Sequence, residues 1–191
     1  MDICEIIQII ALVTGLVYMV LQVLQHKYMW YFSLLTSGAA LAVTIMNHLW
    51  ASSVINVYFI VMSVVGIFSW RAQENKDRKG DVLRLVKLTG PVMVISAAAV
   101  LFGGTAIFLA LRLTNDPNPL VDAATFIISI VATWWLTRYH IEQWYAWIAA
   151  DLIAIALYVS QGLWEMAALF FFYTVSAVIG LIHWRHCGAY V

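Results

Sequence analysis

The chain carries the stretch Gly66-Ile-Phe-Ser-Trp70-Arg71 and, 114 residues later, its counterpart Gly180-Leu-Ile-His-Trp184-Arg185. The same offset joins further identical pairs, which are Trp30 and Trp144, Trp50 and Trp164, His26 and His140, Tyr31 and Tyr145, and Leu49 and Leu163. Tryptophans gather at membrane interfaces in any case, but that tendency does not explain one shared offset with matching neighbours. We therefore predict an internal duplication, in which two segments share one fold.

The composition is that of a membrane protein. Hydrophobic residues make up 64% and charged residues 10% of the chain, with a mean hydropathy of +0.90, whereas about 25% of a soluble protein is charged. Apolar stretches of about 20 residues, long enough to cross a bilayer as helices, predict seven spans. They are Ile3–Leu24, Tyr28–Met46, Ser52–Trp70, Leu88–Leu113, Val121–Arg138, Glu142–Val159 and Trp164–Trp184. The first begins without a basic lead-in or a cleavage site, so we expect it to stay in the mature protein.

The distribution of positive charge predicts the orientation of the chain. With the N-terminus outside, the outer segments hold a single basic residue, Arg112. The others fall on the opposite side, and they are Lys27, Arg71, Lys76, Arg78, Lys79, Arg84, Lys87, Arg138 and Arg185. Because cytoplasmic loops are enriched in Lys and Arg, we expect the N-terminus outside and the C-terminus inside. Nothing in this pattern supports binding to nucleic acid.

The repeat and the number of spans together predict the domain organisation. Residues 1–71 and 121–191 form two three-helix bundles, and residues 88–113 form a connector helix between them. A basic cytoplasmic loop at 72–87 precedes the connector, and an outer loop at 114–120 follows it. The connector lets both bundles begin on the same side. The predicted fold is therefore all-α, with two parallel bundles in a 3+1+3 arrangement of the SWEET type, whose substrates bind between the repeats.

Asp151 is the one carboxylate that the sequence places deep in a span. An ionised carboxylate at mid-bilayer costs about 3 kcal/mol on insertion scales, so it is expected to face a cavity or a partner. Trp147 and Trp144 precede it by four and seven residues, which puts all three on one helix face. Aromatic rings beside a carboxylate would bind a flat cation. The first copy has Ser33 and Ser37 at the places of Trp147 and Asp151, so the predicted site is asymmetric.

Each of these residues has an alternative interpretation. Asp151 could be protonated, or paired with a group on a neighbouring helix, and so stabilise the bundle. Trp144 could belong to the aromatic belt at the inner interface. Asn56 and Ser63 share a face of the third span and are further candidates for lining the substrate path, with interhelical hydrogen bonds as their alternative. The segment from His183 to Cys187 makes no established metal pattern, so we expect neither a metal nor a cofactor.

The second bundle resembles a known family. Its run Glu142-Gln-Trp144-Tyr-Ala-Trp147-Ile-Ala-Ala-Asp151, together with the Gly-x-x-x-Trp endings at Trp70 and Trp184, is similar to the PnuC family of bacterial vitamin transporters. The resemblance implies a multi-pass inner-membrane protein that is not an enzyme and is often a homo-oligomer, a trimer. It further implies facilitated diffusion of an unphosphorylated vitamin, which a cytoplasmic kinase then phosphorylates and traps.

The resemblance leaves the vitamin open among nicotinamide riboside, thiamine and riboflavin. The first two are flat aromatic cations and suit a carboxylate, whereas riboflavin is neutral. Nicotinamide riboside members resemble Trp-x-x-Trp-x-x-x-Asn, and the departure to aspartate at Asp151 is associated with thiamine carriers, so we expect thiamine first and nicotinamide riboside as the alternative. A proton-coupled carrier that uses Asp151 as a relay and a non-transporting membrane subunit are further alternatives.

Overall fold

The computed structural model describes residues 3–74, 83–113 and 118–190. Its helices are α1 Ile3–Val23, α2 Met29–Met46, α3 Trp50–Glu74, α4 Gly90–Ala98, α5 Gly104–Leu113, α6 Pro119–Thr137, α7 Gln143–Ser160 and α8 Trp164–Cys187. A π-helical turn, Ala99–Gly103, joins α4 to α5, and Gly90–Leu113 forms one span. Seven segments of the described chain are long and apolar enough to cross a membrane, which confirms the seven predicted spans. The predicted loops at 72–87 and 114–120 lie partly outside the described residues.

The chain divides into two compact units, Met1–Val82 and Leu83–Val191. In the first unit α2 packs against both α1 and α3. In the second unit α7 packs against both α6 and α8, and the connector packs against α6. The connector therefore belongs with the second group of three helices. The 3+1+3 arrangement and the orientation of the termini stay predictions.

The helices present apolar side chains on the outside. Leu12, Leu16 and Val20 of α1 are each more than half exposed, at 55%, 51% and 59%, and Gln22 is the one buried residue of that helix. Exposing such side chains to water would be unfavourable, whereas lipid tails are as apolar as leucine. This surface is the one expected of helices in a bilayer.

The turns between helices have the same backbone in both copies. Gln25 and Tyr139, which follow α1 and α6, both adopt positive φ angles, of 51° and 62°. His48 and Gly162, which follow α2 and α7, do the same at 57° and 73°. A residue in the left-handed region commonly ends a helix. Since the members of each pair are 114 residues apart, the repeat includes the geometry of the turns.

The connector is fixed to α6 by two kinds of contact. The indole Nε1 of Trp135 donates a hydrogen bond of 3.0 Å to the hydroxyl of Ser96 on α4. Near the π turn, a Cβ atom at Gly103 would lie 3.1 Å from the side chain of Ile127. The small residue thus lets the two backbones approach each other closely. The sequence analysis predicted one regular helix here and missed the π turn.

Two short strands, which the sequence analysis did not predict, accompany the helices. Strand β1, Leu83–Leu85, pairs in parallel with β2, Gly188–Tyr190. Next to β1, the N–H of Val86 donates to the carbonyl of Tyr139 at 3.1 Å, and the Nδ1 of His140 lies 2.9 Å from the carbonyl of Val86. Strands of three residues are too short to show an alternating pattern, which is why the sequence analysis placed only loop and helix there.

Candidate functional site

A close contact between tryptophan and glycine holds α2 to α3 in the first unit. Trp30 is 1% exposed, and its ring lies so close to Gly66 that a Cβ atom at this glycine would overlap it. Trp70 meets Trp30 edge to face, with ring centroids 5.6 Å apart and planes at 85°. Edge-to-face pairs of this kind are favourable for aromatic rings. We call Trp30, Gly66 and Trp70 the first tryptophan cluster.

The second unit repeats this arrangement between α7 and α8. Trp144 lies against Gly180, where a Cβ atom would overlap the ring, and it meets Trp184 at 5.5 Å and 90°. These three residues are the second tryptophan cluster. The duplication seen in the sequence is thus present in the side-chain contacts as well.

A tyrosine and an arginine accompany each cluster. Arg71 donates a hydrogen bond to the hydroxyl of Tyr31 and lies 5.6 Å from the centre of its ring. Arg185 and Tyr145 form the same pair, also with a hydrogen bond and a distance of 5.6 Å. The two copies therefore share five interacting positions, and these account for five of the eight identical pairs that the sequence showed.

The structure gives Trp144 a packing role. Its side chain is 3% exposed, so it lies inside the unit and does not face lipid as a member of an aromatic belt would. Its counterpart Trp30 has the same surroundings in a copy that lacks the carboxylate. Packing alone thus accounts for a tryptophan at this place, and contact between Trp144 and a substrate stays a prediction.

Trp147 and Asp151 lie one turn apart on α7, deeper in the span than Trp144. The side chain of Asp151 is 5% exposed, and no described residue donates a hydrogen bond to its carboxylate. Trp147 is half-buried, and its enclosed Nε1 has no acceptor among the described residues. When ionised, Asp151 supplies an enclosed negative charge beside an aromatic ring, and this combination suits a cation.

In the first copy, the position equivalent to Trp147 is occupied by a serine that forms a hydrogen bond between two helices. The hydroxyls of Ser33 on α2 and Ser63 on α3 are 2.7 Å apart, and Ser63 also donates to the carbonyl of Phe59 at 2.7 Å. The offset of 114 residues puts Trp147 at the place of Ser33 and Ala177 at the place of Ser63. In the second copy an indole and a methyl group thus replace two hydroxyls.

The predicted site residues fall into two groups. Trp144, Trp147 and Asp151 share α7 in the second unit, whereas Asn56 and Ser63 lie on α3 in the first unit. The amide Nδ2 of Asn56 donates to the carbonyl of Ser52 on its own helix at 2.9 Å. Ser63 is fully buried and bonded to its neighbouring helix, in agreement with the alternative interpretation of that residue. The sequence analysis overlooked Ala177, which the repeat offset from Ser63 could have identified.

Comparison with known proteins assigns this architecture to a family. The family described as Nicotinamide mononucleotide transporter matches residues 5–186. The chain belongs to this family. Its recognition from the residues around Trp147 as a PnuC-type protein is thereby confirmed.

Similar proteins include carriers of more than one vitamin. The nicotinamide riboside transporter PnuC of Escherichia coli (strain K12) is 23% identical over 71% of this chain and 66% of its own length. The riboflavin/roseoflavin transporter RibM of Streptomyces davaonensis is 28% identical over 78% of this chain and 70% of its own. The matched stretch thus spans about two thirds of the length of these relatives.

A solved structure shares the fold. The crystal structure of the vitamin B3 transporter PnuC aligns with a TM-score of 0.70 at 21% identity, covering 93% of this chain and 80% of the other. The described residues include seven helices long and apolar enough to span a membrane, and together with its family they make the chain a multi-pass protein of the bacterial inner membrane. The family is one of membrane transporters and not of enzymes.

Proposed function

We propose that this protein takes up a flat aromatic cation, nicotinamide riboside, across the inner membrane. Relatives named as nicotinamide riboside transporters support this substrate over thiamine, which the aspartate at 151 alone had favoured. Both molecules carry a positive aromatic ring, so the chemistry required of the site is the same. Membership of the transporter family supports transport as the activity.

The observation that carries the proposal is the environment of Asp151. Asp151 as a whole residue is 5% exposed, it lies in a membrane span, and its carboxylate has no hydrogen-bond donor among the described residues. An ionised group in such surroundings is costly unless a partner compensates its charge. A cationic substrate would supply that partner, and Trp147 would offer the ring face against which it stacks.

We propose facilitated diffusion as the mode of transport. A cation that enters the span would lose its water and gain contacts with the carboxylate of Asp151 and the indole of Trp147. These contacts would offset the free-energy cost of its dehydration. Phosphorylation by a cytoplasmic kinase would then trap it and keep the flux inward. The excess of Lys and Arg on one side supports an orientation with the N-terminus outside and the C-terminus in the cytoplasm.

Riboflavin is the second candidate substrate, favoured by the 28% identity with RibM. A neutral isoalloxazine ring would stack on Trp147 but would leave an ionised Asp151 without a partner. Riboflavin transport would therefore go with a protonated Asp151 that donates a hydrogen bond to the ligand. The two candidates differ in the charge that the site requires.

Ligand titration of the purified protein tests the proposal. Tryptophan fluorescence is followed while nicotinamide riboside, thiamine and riboflavin are added, and saturable binding is expected for nicotinamide riboside. Trp147→Ala should weaken it by about 2- to 30-fold, the range of a cation–π contact. Ser33→Ala, at the equivalent place of the first copy, is the matched control and should bind normally. Saturation by none of the three ligands would contradict the proposal, and saturation by riboflavin alone would favour the second candidate.

A further inference from the structure

A small cavity opens at one end of the first unit, where α2 begins and α3 ends. Its volume is about 140 Å³, and it is lined by Lys27, Tyr28, Tyr31, Ile67, Trp70 and Arg71. Lys27 lies in the turn before α2, and the span of α3 ends within two residues of Trp70. The cavity is therefore at the level where the helices leave the hydrocarbon and meet the lipid headgroups.

Two cations border this cavity, and aromatic rings position both. The guanidinium of Arg71 is held by the hydroxyl and the ring of Tyr31, and within the part of the chain that the structure describes this bond uses one of its five N–H groups. The Nζ of Lys27 lies 5.7 Å from the centre of the Tyr28 ring. Arg71 has no carboxylate partner among the side chains that the structure describes. The cavity thus combines a planar fork of donors with a point positive charge.

The second copy has the same tyrosine and arginine pair, but the charged side chains beside the pair differ. Tyr145 and Arg185 repeat the tyrosine and arginine pair, but Ile141 stands at the place of Lys27 and Glu142 at the place of Tyr28. The second copy therefore offers one positive and one negative group where the first offers two positive ones. The first copy accordingly has two cationic side chains to attract an anion, whereas the second has one.

We propose that the cavity between Lys27 and Arg71 binds a phosphate group at the membrane surface. Arginine binds phosphate oxygens through two parallel N–H groups, and lysine adds a point charge. Basic pockets at the ends of spanning helices bind the headgroups of anionic lipids, and a soluble phosphate ester would present the same group. The site is separate from Asp151 and does not depend on which vitamin is carried.

Lipid retention by the full-length protein tests this site. Native mass spectrometry of the protein titrated with phosphatidylglycerol or phosphatidylcholine should show preferential retention of phosphatidylglycerol. Lys27→Gln and Arg71→Gln should each lower that retention roughly five-fold, the effect of one basic group near the surface, whereas Lys27→Arg should keep it. Arg185→Gln breaks the equivalent tyrosine pair of the second copy and is the matched control, with no loss expected.

Inorganic phosphate distinguishes the two sources of the ligand. If inorganic phosphate displaces phosphatidylglycerol from the wild type and does not bind to Lys27→Gln, the cavity is a site for soluble phosphate esters. Retention of phosphatidylglycerol in the presence of phosphate would assign it to lipid. Equal losses in Arg71→Gln and Arg185→Gln would overturn the proposal, as would equal retention of both lipids together with no phosphate binding. Gel filtration of each variant shows that the fold is kept.

Discussion

The two copies of the repeat agree in their packing and differ in their polar groups. Trp30 rests on Gly66 and Trp144 rests on Gly180 in the same way. Deeper in the same helices, Ser37 of the first copy corresponds to Asp151 of the second, and both are buried. The comparison teaches that duplication preserved the contacts between helices, while the chemistry changed at neighbouring positions of the same helix. Matched substitutions in the two copies can separate these two kinds of position.

The largest difference between the copies is expected at Asp151. If its carboxylate compensates a cationic substrate, Asp151→Asn should lower the uptake of nicotinamide riboside into proteoliposomes by about 30-fold or more, as for the loss of one partner of a buried charge pair. Ser37→Ala, at the equivalent place, should leave uptake near the wild-type rate. If Asp151→Asn takes up nicotinamide riboside at the wild-type rate, Asp151 does not compensate the positive charge of the substrate.

The tryptophan clusters should respond alike, because they are alike in structure. A methyl group at Gly66 or Gly180 would overlap the ring of Trp30 or Trp144, so Gly66→Ala and Gly180→Ala should each destabilise the protein by about 1–3 kcal/mol. The free energy of unfolding is measured in mixed micelles that contain an increasing fraction of a denaturing detergent. Gly38→Ala is the control, since no atom lies within 4 Å of the added Cβ. A loss in one cluster only would show that the two are not energetically equivalent.

The turns after α2 and α7 should show opposite effects of substitution. Gly162 has a φ of 73° and His48 a φ of 57°, a region that costs a residue with a Cβ about 1–2 kcal/mol. Gly162→Ala should therefore lower the free energy of unfolding by about 1 kcal/mol, and His48→Gly should raise it by less, because glycine also gains entropy in the unfolded chain. Equal signs for the two variants would contradict this.

The smallest effect is expected at the hydrogen bond between Ser33 and Ser63. Interhelical hydrogen bonds within membranes average about 0.6 kcal/mol, so Ser63→Ala should change the free energy of unfolding by about that amount. The second copy already carries Ala177 at this place. The double variant with Ser33→Ala should be no less stable than Ser63→Ala alone, and a further additive loss would show that the two hydroxyls act independently.

The sequence predicted the helices well because the bilayer imposes a simple rule on them. A span must be apolar over about 20 residues, and this rule located all seven segments, with ends within a few residues of those observed. The repeat offset also pairs Trp30 with Trp144 from the sequence alone. Which glycine each ring covers could not be predicted, since that depends on how neighbouring helices are rotated against each other.

The site was predictable only in part. The depth of Asp151 follows from hydropathy, and its burial at 5% exposure agrees with that expectation. The packing role of Trp144 did not follow, because an aromatic residue near a helix end has the same sequence signature in a core, a belt or a binding site. The substrate also exceeds what the sequence can predict, since one carboxylate suits any of several aromatic cations.

The pairing of β1 with β2 also requires an even number of membrane crossings between the two strands. Val86, next to β1, is bonded to Tyr139 and His140, and β1 itself is bonded to β2 at Gly188–Tyr190. These three segments must lie on one side of the bilayer, so the chain between any two of them crosses it an even number of times. The connector, α6, α7 and α8 are each long and apolar enough for one crossing, and one crossing by each would meet this requirement. A connector that dipped into the membrane and returned would put these segments on opposite sides and break every one of these bonds.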